Sequence, residues 1–275
     1  MSIQIQVARL LSRIAAVSTP RSPGVDLVAK LALTPRSGKS LRIARAGLAL
    51  PTRSVLDHIL SLAVFADVLA GMGIAPPNRR ALAYCIVFHD LAEALTGDTP
   101  EFTTLPEPLQ KNARLAESRA HRTLARILPG DLSPAYNRTL ALLRAPSRTR
   151  SYFEMIDKAD PILAVWRYLD SVRSCLDAEL FLEAMHDFFA NPRPQQLCVC
   201  PEVVELLRYL QNPHNAAAYP IRGKPPDGGP LAVLFARLVS GRPQMLCVES
   251  QHPSARFRAA RARARAFRRS SQGTG

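Results

Sequence analysis

Apolar residues recur along this chain at three- and four-residue intervals, and no run shows the two-residue alternation of a half-buried strand. Ser54, Val55, Ile59, Leu62, Ala63, Ala66 and Leu69 share one face and predict an amphipathic helix over 54–71, stopped by Gly71 and Gly73. Residues 78–96 predict a second helix, apolar all round through Leu82, Cys85, Ile86, Phe88, Leu91, Ala94 and Leu95 and therefore expected to be buried. Gly97 suits the left-handed conformation that follows a helix, and Pro100 cannot continue one. The pattern expects further helices at 107–128, 133–144, 151–171, 177–190 and 201–210. Residues 1–20, free of acids and mildly amphipathic, read as a surface helix. Beyond Gln211 the periodicity gives way to Pro220, Pro225, Pro226, Gly228, Gly229 and Pro230, then one apolar stretch at 231–240 and an Arg/Ala tail. The fold class expected is all-α. A basic segment at 1–25 precedes a helical unit at 26–210, and residues 211–275 form a linker and Arg-rich tail, largely disordered.

Charge changes this picture little once it is located. The net +14 suggests a polyanion partner, yet residues 1–45 carry eight Lys/Arg against Asp26 alone, and 251–275 carry seven Arg and no acid. The middle, 46–250, is neutral, with 21 of each sign. A basic end of this kind is a solvated tail with weak, nonspecific attraction to polyanions. Arg256, Arg258, Arg261, Arg263 and Arg265 have only Phe257 and Phe267 nearby as stacking surfaces. No stretch reaches the roughly 20 apolar residues of a membrane-spanning helix. The five cysteines, Cys85, Cys175, Cys198, Cys200 and Cys247, lack the spacing of a disulfide framework or a zinc knuckle, which suits a reducing cytoplasm.

The chemistry concentrates at His89-Asp90. An adjacent His and Asp among Val87, Phe88 and Leu91 are costly to bury unless something compensates the carboxylate. A divalent cation does so and also takes an imidazole nitrogen. Glu93 follows His89 by four residues, one helical turn, and Asp98 lies just past the Gly97 stop. His58, preceded by Asp57, and Asp160, in Lys158-Ala159-Asp160, are each unremarkable alone; their order in the chain gives them weight.

That order resembles the HD superfamily of metal-dependent phosphohydrolases, and within it the bacterial 5′-deoxynucleotidase branch. Ser54-Val55-Leu56-Asp57-His58 is similar to the branch's first motif. The run from His89-Asp90-Leu91-Ala92-Glu93 to Gly97-Asp98-Thr99-Pro100 matches its second nearly residue for residue. Lys158-Ala159-Asp160-Pro161-Ile162-Leu163-Ala164 resembles its last. The likeness covers about 54–170. Upstream, Arg36-Ser37-Gly38-Lys39 resembles the branch's Arg-x-Gly-Trp-like segment with Lys39 in place of the aromatic residue, and the stretch to His58 is about five residues longer. Arg53 stands where the branch often has Glu.

The resemblance implies an HD-domain helical bundle with a divalent cation (Mn, Co, Ni, Fe or Zn) on His58, His89, Asp90 and Asp160. Asp157 competes for the last place, and Asp160 is preferred because the residues after it align without a gap. It implies Glu93 as the group acting on water and Asp98 as the acid on the leaving oxygen, although spacing alone permits a swap. Arg36, Lys39, Arg53 and Thr96 are the candidate substrate contacts. The expected activity is release of phosphate from nucleoside 5′-monophosphates, deoxyribonucleotides foremost, by metal-activated water. A dNTP triphosphohydrolase using the same metal site is the alternative, and a nucleotide-sensing or nucleic-acid-associated protein with an HD core is the alternative of another class. With every acid and His of the motifs present, a catalytically dead core is disfavoured. A homodimer is compatible with this reading, and no membrane partner is expected.

Overall fold

The computed structural model describes residues 1–16, 26–36, 53–98, 107–171, 189–190, 192–198, 200–212 and 215. Their helices, in chain order, are α1 (Ile3–Ala15), α2 (Leu27–Leu33), α3 (Val55–Gly71), α4 (Arg79–Phe88), α5 (Glu93–Thr96), α6 (Glu107–Ile127), α7 (Leu132–Arg144), α8 (Arg148–Ser171), α9 (Arg193–Leu197) and α10 (Pro201–Leu210). The fold is all-α. Among the described residues the one β-type contact is an isolated antiparallel bridge between Pro35 and Ser54. Lys39, the 177–190 helix apart from its last two residues, the 231–240 stretch and the Arg-rich tail lie outside the described residues.

The helices pack round α3, α4 and α8, which touch one another and bury Phe65, Phe88 and Trp166 completely. α3 begins where it does because Ser54 and Asp57 cap it reciprocally. The Ser54 hydroxyl accepts from the Asp57 N–H at 3.1 Å, and the Asp57 carboxylate accepts from the Ser54 N–H at 2.8 Å. The Asn78 side chain caps α4 by accepting from the Ala81 N–H at 2.9 Å. Trp166, buried as its apolar bulk requires, donates its indole N–H to the Leu210 carbonyl and so ties α8 to α10.

Two expectations are corrected here. The first concerns residues 78–96, which do not form one helix. α4 ends at Phe88 with His89 as its cap, and tight three-residue hydrogen bonds (Glu93 N–H to Asp90 O, 3.0 Å; Ala94 N–H to Leu91 O, 3.2 Å) carry the chain into α5. In an unbroken helix neighbouring side chains diverge by about 100°; the turn lets His89 and Asp90 converge. Gly97 follows with φ of 77°, the left-handed backbone expected of it.

The second correction concerns the amino terminus. α1 is not a surface helix. Ile3, Val7, Leu10, Leu11 and Ile14 are buried against α3 and α4, and Asp67 of α3 accepts from the Ile3 and Gln4 N–H groups at 2.8 and 2.9 Å. The apolar stripe was visible in the sequence; what the sequence concealed was a partner surface for it. Replacing Ile14 by Ala is expected to destabilise the fold by about 2–5 kcal/mol, measured by denaturant unfolding. A surface helix would lose no more than about 0.5 kcal/mol.

Candidate metal centre

Three elements bring His58, His89 and Asp90 together: the first turn of α3, and the turn after α4, facing α8. One ligand atom from each lies within 4.8 Å of the other two. His58 Nε2 and His89 Nε2 are 3.3 Å apart, and Asp90 Oδ2 is 3.1 Å from His89 Nε2 and 3.7 Å from His58 Nε2. Ligands bound at about 2.1 Å to one ion sit roughly 3.0–3.4 Å apart in octahedral or tetrahedral geometry. The spacing fits a cation.

The far side of each ring explains why. His58 Nδ1 lies 2.7 Å from Asp160 Oδ2, and His89 Nδ1 lies 2.9 Å from the Ile86 carbonyl and 3.2 Å from that of Cys85. These partners only accept, so both Nδ1 atoms carry hydrogen and both neutral rings turn bare Nε2 lone pairs towards each other. Two lone pairs at this distance repel unless positive charge lies between them. Burial opposes charging His89, yet Asp90 and Asp157 outweigh it and hold the ring above its ordinary pKa. The site attracts cations, whether a proton or a metal.

α8 contributes two carboxylates one turn apart. Asp157 Oδ1 is 3.2 Å from His58 Nε2 and 3.8 Å from His89 Nε2, while its Oδ2 meets the Lys158 ammonium at 2.9 Å. Asp160 is fully buried on the other ring nitrogen of His58, where Arg53 and Ser61 also donate to it. Both carboxyls lie well below the usual carboxylate range. Burial works against this, and His58 and Lys158 overcome it at Asp157, Arg53 and His58 at Asp160.

Arg36 closes the group on the solvent side. Its Nη1 lies 2.7 Å from Asp90 Oδ2, 3.3 Å from Glu93 Oε2 and 3.4 Å from Asp98 Oδ1. Burial and the adjoining Asp90 push the Glu93 carboxyl up to about 10, with a hydrogen bond to Asp98 adding to the effect and Arg36 opposing it. Glu93 and Asp98 therefore flank the metal group as expected of proton-handling residues, and Arg36 stands where a phosphate would arrive.

Three of the sequence-derived assignments meet a different geometry. Arg53 is not presented to a substrate: its guanidinium is bidentate on Asp160 at 2.6 and 3.1 Å and also reaches the Asp57 carbonyl at 3.0 Å. Thr96 directs its hydroxyl to the Ala92 and Gly97 carbonyls of its own helix end. Asp160 stands outside the three-residue group because its contacts run to Nδ1 rather than Nε2 of His58. Glu117, weighed as a supporting acceptor, reaches only His121, at 3.4 Å. The Arg53–Asp160 pair had no local signal, since its members are 107 positions apart. Arg53→Met strands a buried carboxylate and is expected to cost about 3 kcal/mol, the lower end of such losses because His58 and Ser61 still hold Asp160. The melting temperature would report it.

A family model, 5′-deoxynucleotidase YfbR-like, matches residues 40–188, just over half of the chain. No curated protein and no solved structure matches. No described helix is long and apolar enough to cross a membrane. The matched span holds His58, His89-Asp90 and both α8 carboxylates, in an all-helical frame that sets two imidazoles and a carboxylate at metal-ligand spacing. The chain belongs to the YfbR-like 5′-deoxynucleotidase family of HD-type hydrolases.

Proposed function

We propose that this protein releases phosphate from nucleoside 5′-monophosphates, deoxyribonucleotides foremost, at a divalent cation held by His58, His89, Asp90 and a carboxylate of α8. The facing Nε2 atoms carry this reading: a proton can answer one lone pair, whereas two imidazoles flanked by Asp90 and Asp157 call for a dication. Such an ion, when bound, lowers the pKa of a coordinated water from about 15.7 towards 7 and offsets charge on the phosphoryl group. Nitrogen and oxygen donors without thiolate suit Mn, Co, Ni, Fe or Zn.

The chain's own residues do the rest. Arg36 leaves its carboxylate partners for the phosphate oxygens, a planar fork meeting a tetrahedral anion. Glu93 acts on the attacking water and Asp98 on the departing 5′-oxygen. The Asp90 charge that keeps a proton on Glu93 is offset when a cation binds, so metal loading frees the Glu93 carboxylate for that task. Lys39 remains a candidate phosphate contact. The test is a product screen over nucleoside mono-, di- and triphosphates with chelator-stripped protein given Mn, Co, Ni, Zn or Mg in turn. Inorganic phosphate from monophosphates is expected. Triphosphate released from dNTPs would replace this reading with a triphosphohydrolase, and no turnover with any metal would leave a nucleotide-binding protein.

A further inference from the structure

We propose that Asp157 is the fourth protein ligand of the metal and that Asp160, clamped by Arg53, positions the His58 ring from behind; this rests on the metal centre proposed above. A carboxylate can serve a cation only with a lone pair left to give. Asp160 has four donors on its two oxygens: Oδ2 accepts from Arg53 Nη1 and His58 Nδ1, and Oδ1 from Arg53 Nη2 and the Ser61 hydroxyl. Four donors occupy the roughly four lone-pair sites of a carboxylate. Asp160 is saturated, fully buried, and separated from the metal position by the imidazole itself.

Asp157 differs on each count. Its Oδ2 is balanced by Lys158, which leaves Oδ1 directed at both Nε2 atoms, at 3.2 and 3.8 Å, the spacing that Asp90 keeps to the same two nitrogens. Pro161 supports this placement within α8. Having no N–H, it cannot bond the Asp157 carbonyl four residues earlier, so the helix is loosened at the level of the two carboxylates. The result is a carboxylate–histidine–metal relay in which Arg53 fixes Asp160, Asp160 fixes the hydrogen on His58 Nδ1, and Nε2 stays bare for the ion.

The experiment compares Asp157→Asn, Asp160→Asn and His89→Ala in the full chain, each stripped and titrated with Co(II) against a competing chelator. The visible Co(II) spectrum is recorded alongside affinity. Asp157→Asn is expected to lose more than about 100-fold in affinity with an altered spectrum. Asp160→Asn is expected to keep the wild-type band shape and lose about tenfold, the lower range for outer partners of a ligand. If Asp160→Asn does not fold, Arg53→Lys loosens the same carboxylate and should again keep the band shape. An unaltered spectrum in folded Asp157→Asn, or a changed one in either of the other two, overturns the assignment. Wild-type Co(II) affinity in His89→Ala would instead defeat the metal centre itself, a separate failure.

Discussion

Alanine at His89 or at Asp90 is expected to lower phosphate release by more than about a thousandfold and to leave the purified protein without its metal. The size follows from what is lost: without the ion, water must be deprotonated from a pKa near 15.7 rather than about 7. Each variant also leaves a fault behind it. Without Asp90 the charge that offsets the cation is halved, and without His89 one of the two facing nitrogens disappears. Elemental analysis and a phosphate-release assay together check this, and metal at wild-type stoichiometry in both variants would sink it. Chelation of the wild type should lower its melting temperature, because an ion bound only by the folded chain stabilises that state. Readdition of Mn or Co should restore it.

The second large effect belongs to Glu93 and Asp98. Glu93→Ala is expected to keep metal and nucleotide binding while kcat falls by about two to four orders of magnitude, the range for a group that handles a proton in the transition state. Glu93 faces Arg36, Asp90 and Asp98 rather than the facing imidazole nitrogens, which is why metal should survive its removal. Asp98→Asn is expected to fall comparably on a nucleoside 5′-monophosphate and distinctly less on p-nitrophenyl phosphate. A nitrophenolate departs unaided, whereas a 5′-alkoxide needs a proton. Equal losses on both substrates would remove Asp98 from the leaving group. If instead Glu93→Gln is the variant spared on p-nitrophenyl phosphate, the two residues exchange roles.

The helices were legible in the chain because apolar positions at three- and four-residue spacing need only local order to be read. The boundaries of α3 could be read closely, since Ser54-x-x-Asp57 is a capping signal in its own right and Gly71 and Gly73 stand at the other end. The interruption after Phe88 was hidden, because the residues 89–92 that turn the chain are as apolar and helix-compatible as those beside them. In the site, His89-Asp90 announced itself through the cost of burying a charge. Nothing in the residues near 157–160 could show which carboxylate faces Nε2 and which faces Nδ1: two acids three apart both lie on the inner side of a helix, and a partner 107 positions away determines the difference. The same holds for Arg53, which looked like a phosphate contact because its charge was visible and its partner was not.

The bridge between Pro35 and Ser54 has a bearing on how members of such a family can come to differ. The Arg36 N–H donates to the Arg53 carbonyl at 2.8 Å, and the Val55 N–H to the Thr34 carbonyl at 2.9 Å. The chain thus leaves this clasp at Arg36 and re-enters it at Arg53, whatever the 16 residues between do. Lengthening a closed loop is cheap, about 0.6 kcal/mol for each doubling. An insertion there changes what stands over the phosphate without moving Arg36, Arg53 or the imidazole that Arg53 steadies through Asp160. The chemistry and the selection of substrate are therefore free to diverge separately: swapping 37–52 between two such chains should transplant nucleotide preference while each recipient keeps its own metal.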